Sequence, residues 1–332
     1  RQALDACERG RDARGEHLLA RRVERGRSAA DVLAAEVPAA VLGIPFRKVM
    51  RWGDHDLEYA RPLQWLVALL GTDVVPLRVG YLEAGRTTRG HRTLAGDSPL
   101  DLAAPGDYVE ALRAVGVVVD PDERTATIRS GLARVVAEYD PSARLVEDEE
   151  LLDEVVHLCE HPTPFLGAYG EEFAVLPPQV ITTALKSHQR YFSVGWRERG
   201  GLAPRFAAVR DGGSDHLANV VQGNERVLRA RLADALFYWT FDQKKSPDER
   251  VAMLETVTWL EGFGSLLDKT GRLRRLVDLL WTGGLGDGGP APAALARAAT
   301  LSKSDLVSEM IKDGKEFTKL EGFMGARYAE QA

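Results

Sequence analysis

The chain has 332 residues, a formal net charge of −6, 45% apolar residues and 28% charged residues. This is the composition of a globular protein with enough chain for two domains and a core in each. It excludes a bilayer span, because no apolar run approaches the ~20 residues one needs, and it argues against a simple DNA-coating protein, whose domain would be basic.

Cysteine occurs only at Cys7 and Cys159, too few and too far apart for a disulfide scaffold or a zinc knuckle. Both are expected as free thiols in a reducing, cytoplasmic setting, and no signal peptide is visible. The sequence opens on Arg1 and closes on Ala-Glu-Gln-Ala inside a helical pattern. It therefore reads as an internal piece of a longer protein, with no self-contained catalytic centre. Arginine outnumbers lysine 34 to 9, which suits phosphate and base contacts and equally suits a GC-rich genome.

In chain order, residues 1–43 read as helical, with Leu18, Leu19, Val23, Val32, Leu33 and Val37 among charged stretches. Pro62 suits the first turn of a helix running to Leu70 and closed by Gly71. Residues 74–82 (VVPLRVGYL) read as a strand, and GRTTRGHRTL as a basic loop or hairpin. Asp107 to Val115 reads as a helix, residues 117–119 as a strand, and Pro121 as the start of a helix carrying Ile128, Leu132, Val135 and Val136. A strand at 144–146, a helix from Glu149 to Cys159, an extended PTPFLGAY, a helix from Pro178 to about His188 and a hairpin of YFSVGW with RFAAVR follow. From Ser214 onward only helical patterns remain, interrupted by the flexible TGGLGDGGPAPAA. Mixed short strands and helices without strict alternation predict an α+β domain over residues 1–214, including N-terminal helices. An all-α domain is expected over 215–332.

The standard signatures of nucleotide, metal and acyl-transfer sites are missing: no glycine loop leading into Lys-Ser/Thr, no paired CxxC, no HExxH and no GxSxG. Asp54-His55-Asp56 contains the dipeptide of HD phosphohydrolases, but a turn capping a helix is the better reading. Leu301-Ser302-Lys303-Ser304-Asp305 looks like the KMSKS loop of class I synthetases, but reads better as a helix start capped by Ser302 or Ser304. His91, His157, His161, His188 and His216 have no metal-ligand spacing.

Three basic stretches remain. In GRTTRGHR, Arg86, Arg89, His91 and Arg92 lie on a glycine-punctuated segment of the kind that lets a backbone approach phosphate while arginines clamp it. In LKSHQRYF, Lys186, His188, Gln189 and Arg190 precede two aromatics, a pattern that can hold single-stranded RNA or form strand core. In NERVLRARLAD, Leu217, Val221, Leu228, Leu232, Ala235 and Trp239 form one helical stripe. Asn224 falls on that stripe and is expected to tie two segments together. Arg226 and Arg229 point away from it, to solvent or a polyanion, and Arg231 at its edge is placed to pair with Asp234.

Five motifs occur in order: KVMRWG with RPLQW, GRTTRGHR, LPPQVITTALKSHQRYF, GNERVLRARLADALFYWTFD, and LSKSDLVSEM with GFMGARYA. Together they resemble the β subunit of bacterial glycyl-tRNA synthetase of the α2β2 type, from about residue 15 to 332. The resemblance departs at Val209-Arg210-Asp211, where relatives usually carry Val-Ser-Asn, and at Glu321, where glutamine is common.

The resemblance implies a region similar in fold to the editing-type domain of the phenylalanyl-tRNA synthetase β subunit, followed by a helical HD-like domain. The family's N-terminal part and anticodon-binding end are missing from this sequence. It also implies a non-catalytic, tRNA-binding subunit. Glycine activation, with ATP and Mg²⁺, belongs to the α subunit, and no cofactor is expected on this chain. The expected partners are the α subunit and tRNA(Gly), with neither DNA nor membrane. Two rival readings are an editing hydrolase that removes a wrong amino acid from tRNA, and an assembly scaffold that contacts only the α subunit.

Overall fold

The computed structural model describes residues 7–19, 25–286, 291–312 and 316–331, without the side chain of His188. The chain divides into two compact units, Arg1–Val115 and Gly116–Ala332.

In the first unit the helix expected over 1–43 occupies only part of that stretch. Strands β1 (Glu8–Asp12) and β2 (Gly15–Leu19) form an antiparallel hairpin. Arg14 N donates to Asp12 Oδ1 at 2.7 Å in the turn, the local bond by which aspartate competes with helix. Residues 1–6 and 20–24 lie outside the described residues. Helix α1 (Ala29–Leu42) starts where Ser28 Oγ accepts from Asp31 N at 3.1 Å, a standard N-cap.

The helix expected from Pro62 to Leu70 is replaced by strands β3 (Leu66–Val67) and β4 (Leu69–Leu70). The chain doubles back through Gly71, φ 63°, onto β5 (Asp73–Val74). A short apolar run bounded by glycine fits a strand as well as a helix, and here pairing decides. β3 lies parallel to β7 (Leu82–Gly85), which pairs antiparallel with β6 (Arg78–Val79). Val75, Leu77 and Val79 alternate inward at strand period and pack with Val37 and Val41 of α1. β8 (Thr87–Arg89) pairs with β9 (Pro99–Asp101), and α2 (Tyr108–Ala114) closes the unit. A Cβ at Gly90 would sit 2.5 Å from Val115 Cβ, so the chain passes Val115 only as glycine.

The second unit is built on a four-stranded antiparallel sheet. Its order is β10 (Ala143–Leu145), β12 (Phe192–Trp196), β13 (Leu202–Asp211), β11 (Pro162–Ala168). β11 carries Pro162 and Pro164, each without an N–H, and accordingly runs at an edge. Successive residues of β13 face opposite ways. Phe206 and Ala208 enter one core, while Ala207 enters the other. The second core is closed by α3 (Pro121–Tyr139) through Ile128, Leu132 and Val136, and by α4 (Glu149–Val156) through Leu151, Leu152, Val155 and Val156.

Residues 117–119, expected as a strand, form none. Their carbonyls are taken by a side chain instead: Arg124 Nη1 donates to Val118 O and Val119 O at 2.7 and 2.8 Å.

The first core contains α5 (Pro178–Gln189) and α6 (Leu217–Asp242), through Val180, Ile181, Ala184 and Leu185 on one and Leu228, Leu232, Ala235 and Trp239 on the other. Leu228, Leu232 and Ala235 are fully buried. Each such leucine contributes about 1.5–3 kcal/mol relative to exposure. α5 ends on Arg190, a left-handed residue (φ 54°) whose N–H bonds back to Lys186 O.

Five shorter helices follow: α7 (Pro247–Met253), α8 (Leu266–Leu280), α9 (Ala293–Leu301), α10 (Glu309–Lys312) and α11 (Phe323–Glu330). Met310, Ile311, Met324 and Tyr328 join the same core as Phe206. The change from strand to helix expected near residue 214 is present, β13 ending at Asp211 and α6 starting at Leu217. The domain boundary placed there falls inside the second unit, because one core spans it.

Two buried carboxylates hold the helical part together. Asp242, at the end of α6, accepts from Glu309 N (2.7 Å), Met310 N (3.0 Å) and Tyr328 Oη (2.7 Å). Asp305 Oδ2 accepts from Gly322 N (2.6 Å) and Gly325 N (3.0 Å). The expected cap at Ser302 or Ser304 is not made. Ser302 ends α9 and donates to Ala299 O, while Ser308 Oγ accepts from Ile311 N in α10. None of the described helices is long and apolar enough to cross a membrane.

Candidate nucleic-acid interface

The basic stretches divide sharply by what their side chains already hold. In the first unit, Arg86 donates to Leu102 O (3.2 Å) and Thr72 O (2.9 Å), stitching β8 to its neighbours. Arg89 donates to Asp97 O at 2.9 Å, pairs with the Asp97 carboxylate and lies 5.7 Å from the Trp65 ring centroid. His91 is 3% exposed, and its Nδ1 accepts from Thr93 N (3.3 Å) and Leu94 N (3.4 Å). It organises the loop after β8. Arg92 alone of the four is exposed and, among the described residues, makes no hydrogen bond or ion pair.

In the second unit, Lys186 pairs with Asp148 and Glu150, both at 2.9 Å, and these carboxylates hold its ammonium pKa above the usual lysine value. Its charge is spent on docking α5 to the start of α4. Arg190 pairs with Glu154 at 2.8 Å. Gln189 is half-buried, its Oε1 3.3 Å from Tyr191 Oη. His188 lies on α5, its side chain outside the described residues.

On α6 the stripe turns inward. Asn224 is half-buried, accepts a short hydrogen bond from Tyr191 Oη and donates through Nδ2 to Val220 O at 2.6 Å. It thereby links α6 to the start of β12. Arg226 and Arg229 are exposed, and neither makes an ion pair or hydrogen bond with the described residues. Arg231 is half-buried and Asp234 exposed, and no ion pair of the described residues joins them. Arginine N-terminal to the acid is the less favourable order on a helix.

Other contacts left no clear trace in the sequence. Glu225, beside the two free arginines, accepts from Ala168 N at 2.8 Å and fixes α6 to the end of β11. Asp211 Oδ1 accepts from Glu160 N and His161 N at 2.8 and 2.9 Å and so ties the end of β13 to the entry of β11. A cavity of about 730 Å³ opens between the end of α3 and the β12–β13 turn. Its lining includes Arg199, 3.6 Å over the Trp196 ring, and Tyr139, whose ring lies 4.5 Å from Arg205. Aromatic residues interleaved with arginine are the signal that points to such a place. Among the described residues, no group of three acidic, histidine or cysteine side chains is placed to hold a metal ion. His55 instead stacks on Tyr81 at 3.6 Å, in a turn that leads into no helix.

The geometry leaves exposed guanidinia on α6, within the motif GNERVLRARLADA. Residues 2–332 match the family model described as glycyl-tRNA synthetase beta subunit. The chain belongs to this family. It is 44% identical over 327 residues to the glycine–tRNA ligase beta subunit of Myxococcus xanthus, covering 98% of this chain and 45% of that protein. It is 40% identical over 314 residues to the Bacillus subtilis beta subunit (95% and 45%) and 40% identical over 318 residues to that of Geobacter sulfurreducens (95% and 44%). The chain thus spans a little under half the length of these relatives.

Proposed function

We propose that this chain is the part of a glycyl-tRNA synthetase β subunit that offers tRNA-facing surface to the ligase, without itself carrying the catalytic centre. In this reading a cytoplasmic α2β2 assembly attaches glycine to tRNA(Gly), and the α subunit binds ATP and Mg²⁺. The sheet-based part corresponds to an editing-type fold and the helices from α6 onward to an HD-like fold. Family membership supports the role.

The observation that carries the RNA-binding part is the pair Arg226 and Arg229, exposed and without a hydrogen-bond or ion-pair partner among the described residues, on the most specific motif of the chain. Free guanidinia can each replace a counterion on a phosphate backbone, and the salt dependence of binding counts those contacts. Lys186, already neutralised by two carboxylates, contributes less.

The test is tRNA affinity of the α–β complex against salt concentration for Arg226→Glu/Arg229→Glu. The slope of log K against log[salt] should lose about 0.7–0.9 for each phosphate contact removed. An unchanged slope and affinity would instead favour the scaffold reading, in which this face meets the α subunit.

A further inference from the structure

A second basic feature lies away from the outward arginines of α6. At the junction of α6, α7 and α11, Gln243, Lys245, Ser246, Pro247, Arg250, Tyr328 and Gln331 line a cavity of about 570 Å³. That volume is within the range of small-molecule sites.

Arg250 is 2% exposed. Its Nη2 donates to Asp242 O, and its guanidinium lies 4.1 Å from the Tyr328 ring centroid. Its Nη1 is buried and has no hydrogen-bond partner among the described residues. No carboxylate forms an ion pair with it there. Asp242, Asp305 and Glu249 act on its charge from nearby, but their oxygens accept from other donors. Asp242 accepts from Glu309 N, Met310 N and Tyr328 Oη, Asp305 from Gly322 N and Gly325 N, and Glu249 from Ser246 N (2.7 Å) and Ser246 Oγ (2.9 Å).

A buried guanidinium nitrogen without a hydrogen-bond partner is costly, and proteins satisfy such groups. The cavity lining completes a receptor for an anion. Lys245 stands exposed at the rim, 3.6 Å from Met253 Sδ, and Gln243 and Gln331 add exposed amides. Arginine on an aromatic face with a free fork nitrogen matches the oxygens of a phosphate. None of the described residues that line the cavity is a carboxylate that would repel one.

We propose that the cavity at Arg250 and Lys245 binds a phosphate group, held by the Arg250 fork and neutralised by Lys245. The phosphate belongs either to a free phosphate compound or to an RNA strand. The proposal does not depend on the tRNA-facing role of α6, since its first probe is a small anion.

The experiment is isothermal titration of the purified protein with inorganic phosphate and pyrophosphate, set against potassium chloride at equal ionic strength. Thermal melts in the same solutions accompany it. Saturable binding and a rising Tm are expected. Lys245→Ala, at an exposed position, should weaken binding about tenfold. Arg250→Lys, which keeps charge but loses the fork, should abolish it. Should Arg250→Lys fail to fold, Lys245→Glu with an unchanged phosphate-free melt takes its place and should also abolish binding. A short oligoribonucleotide that competes with phosphate identifies a strand as the source, and failure to compete identifies a free compound. No saturable binding beyond the chloride control, or binding that Lys245→Ala and Lys245→Glu leave unchanged, overturns the proposal.

Discussion

Replacing Asp242 by alanine should be among the most damaging single changes in the second unit. The carboxylate is 4% exposed and accepts three hydrogen bonds, from two backbone N–H groups opening α10 and from the Tyr328 hydroxyl on α11. Hydrogen bonds to a charged group contribute about 1.5–3 kcal/mol each, and each buried donor left without a partner costs about 1–3 kcal/mol. Shared partners make these terms overlap, so the expected loss is about 3–5 kcal/mol, as for other broken buried charge networks. Tyr328→Phe removes one of the three bonds and should cost about 1–2 kcal/mol. Urea unfolding followed by tryptophan fluorescence measures both, because Trp239 stacks on Tyr328 at 5.3 Å and reports this junction. The midpoint should fall with an unchanged slope. A loss below about 1 kcal/mol for Asp242→Ala would mean that the carboxylate does not join α6 to α10 and α11.

Three further outcomes are expected. Gly167→Ala places a Cβ 2.3 Å from Phe206 Cζ across the β11–β13 pair, and should destabilise by about 1–3 kcal/mol in the same unfolding assay. Burial raises the Tyr191 phenol to about 12 from its ordinary 10.0. Since the unfolded chain releases that proton first, its share of stability is intact below pH 10 and is lost as pH rises toward 12. Unfolding midpoints across that window should fall less steeply for Tyr191→Phe. Burial likewise raises the Cys159 thiol from 9.0 to about 11. A thiol reagent at pH 8 should therefore modify partly exposed Cys7 and spare Cys159 until the chain unfolds.

The sequence was most legible where a period persisted over many residues. The Leu228–Leu232–Trp239 stripe, the Ile128–Leu132–Val136 face and the YFSVGW/RFAAVR hairpin lie where alternation or 3.6-residue spacing puts them. It misled where a short segment had two uses. LVALLG has the apolarity of a helix and the length of two strands, and pairing with β7 and β5 decides between them. Residues 117–119 have strand composition, but Arg124 occupies the carbonyls a neighbouring strand would need.

The basic stretches were legible as charge but not as availability. Arg86 and Lys186 resemble Arg226 in the sequence, yet their partners, Thr72, Leu102, Asp148 and Glu150, are distant along the chain. The Arg250 cavity was invisible for a related reason. Its walls come from α7 and from Tyr328 and Gln331 far downstream.

The core that runs without a break from Phe206 through Leu232 to Met324 and Tyr328 also sets an order of events during synthesis. When the ribosome has made β13, three helices have covered parts of the sheet, but the residues that complete its other side lie roughly 120 positions ahead, or about 6–24 seconds at 5–20 residues per second. For that interval Phe165, Val180, Leu185 and Phe206 lie in a core that α6 covers only in part and that still lacks Met310, Ile311, Met324 and Tyr328. Premature termination in the helical half should therefore leave a sticky product rather than a smaller folded domain.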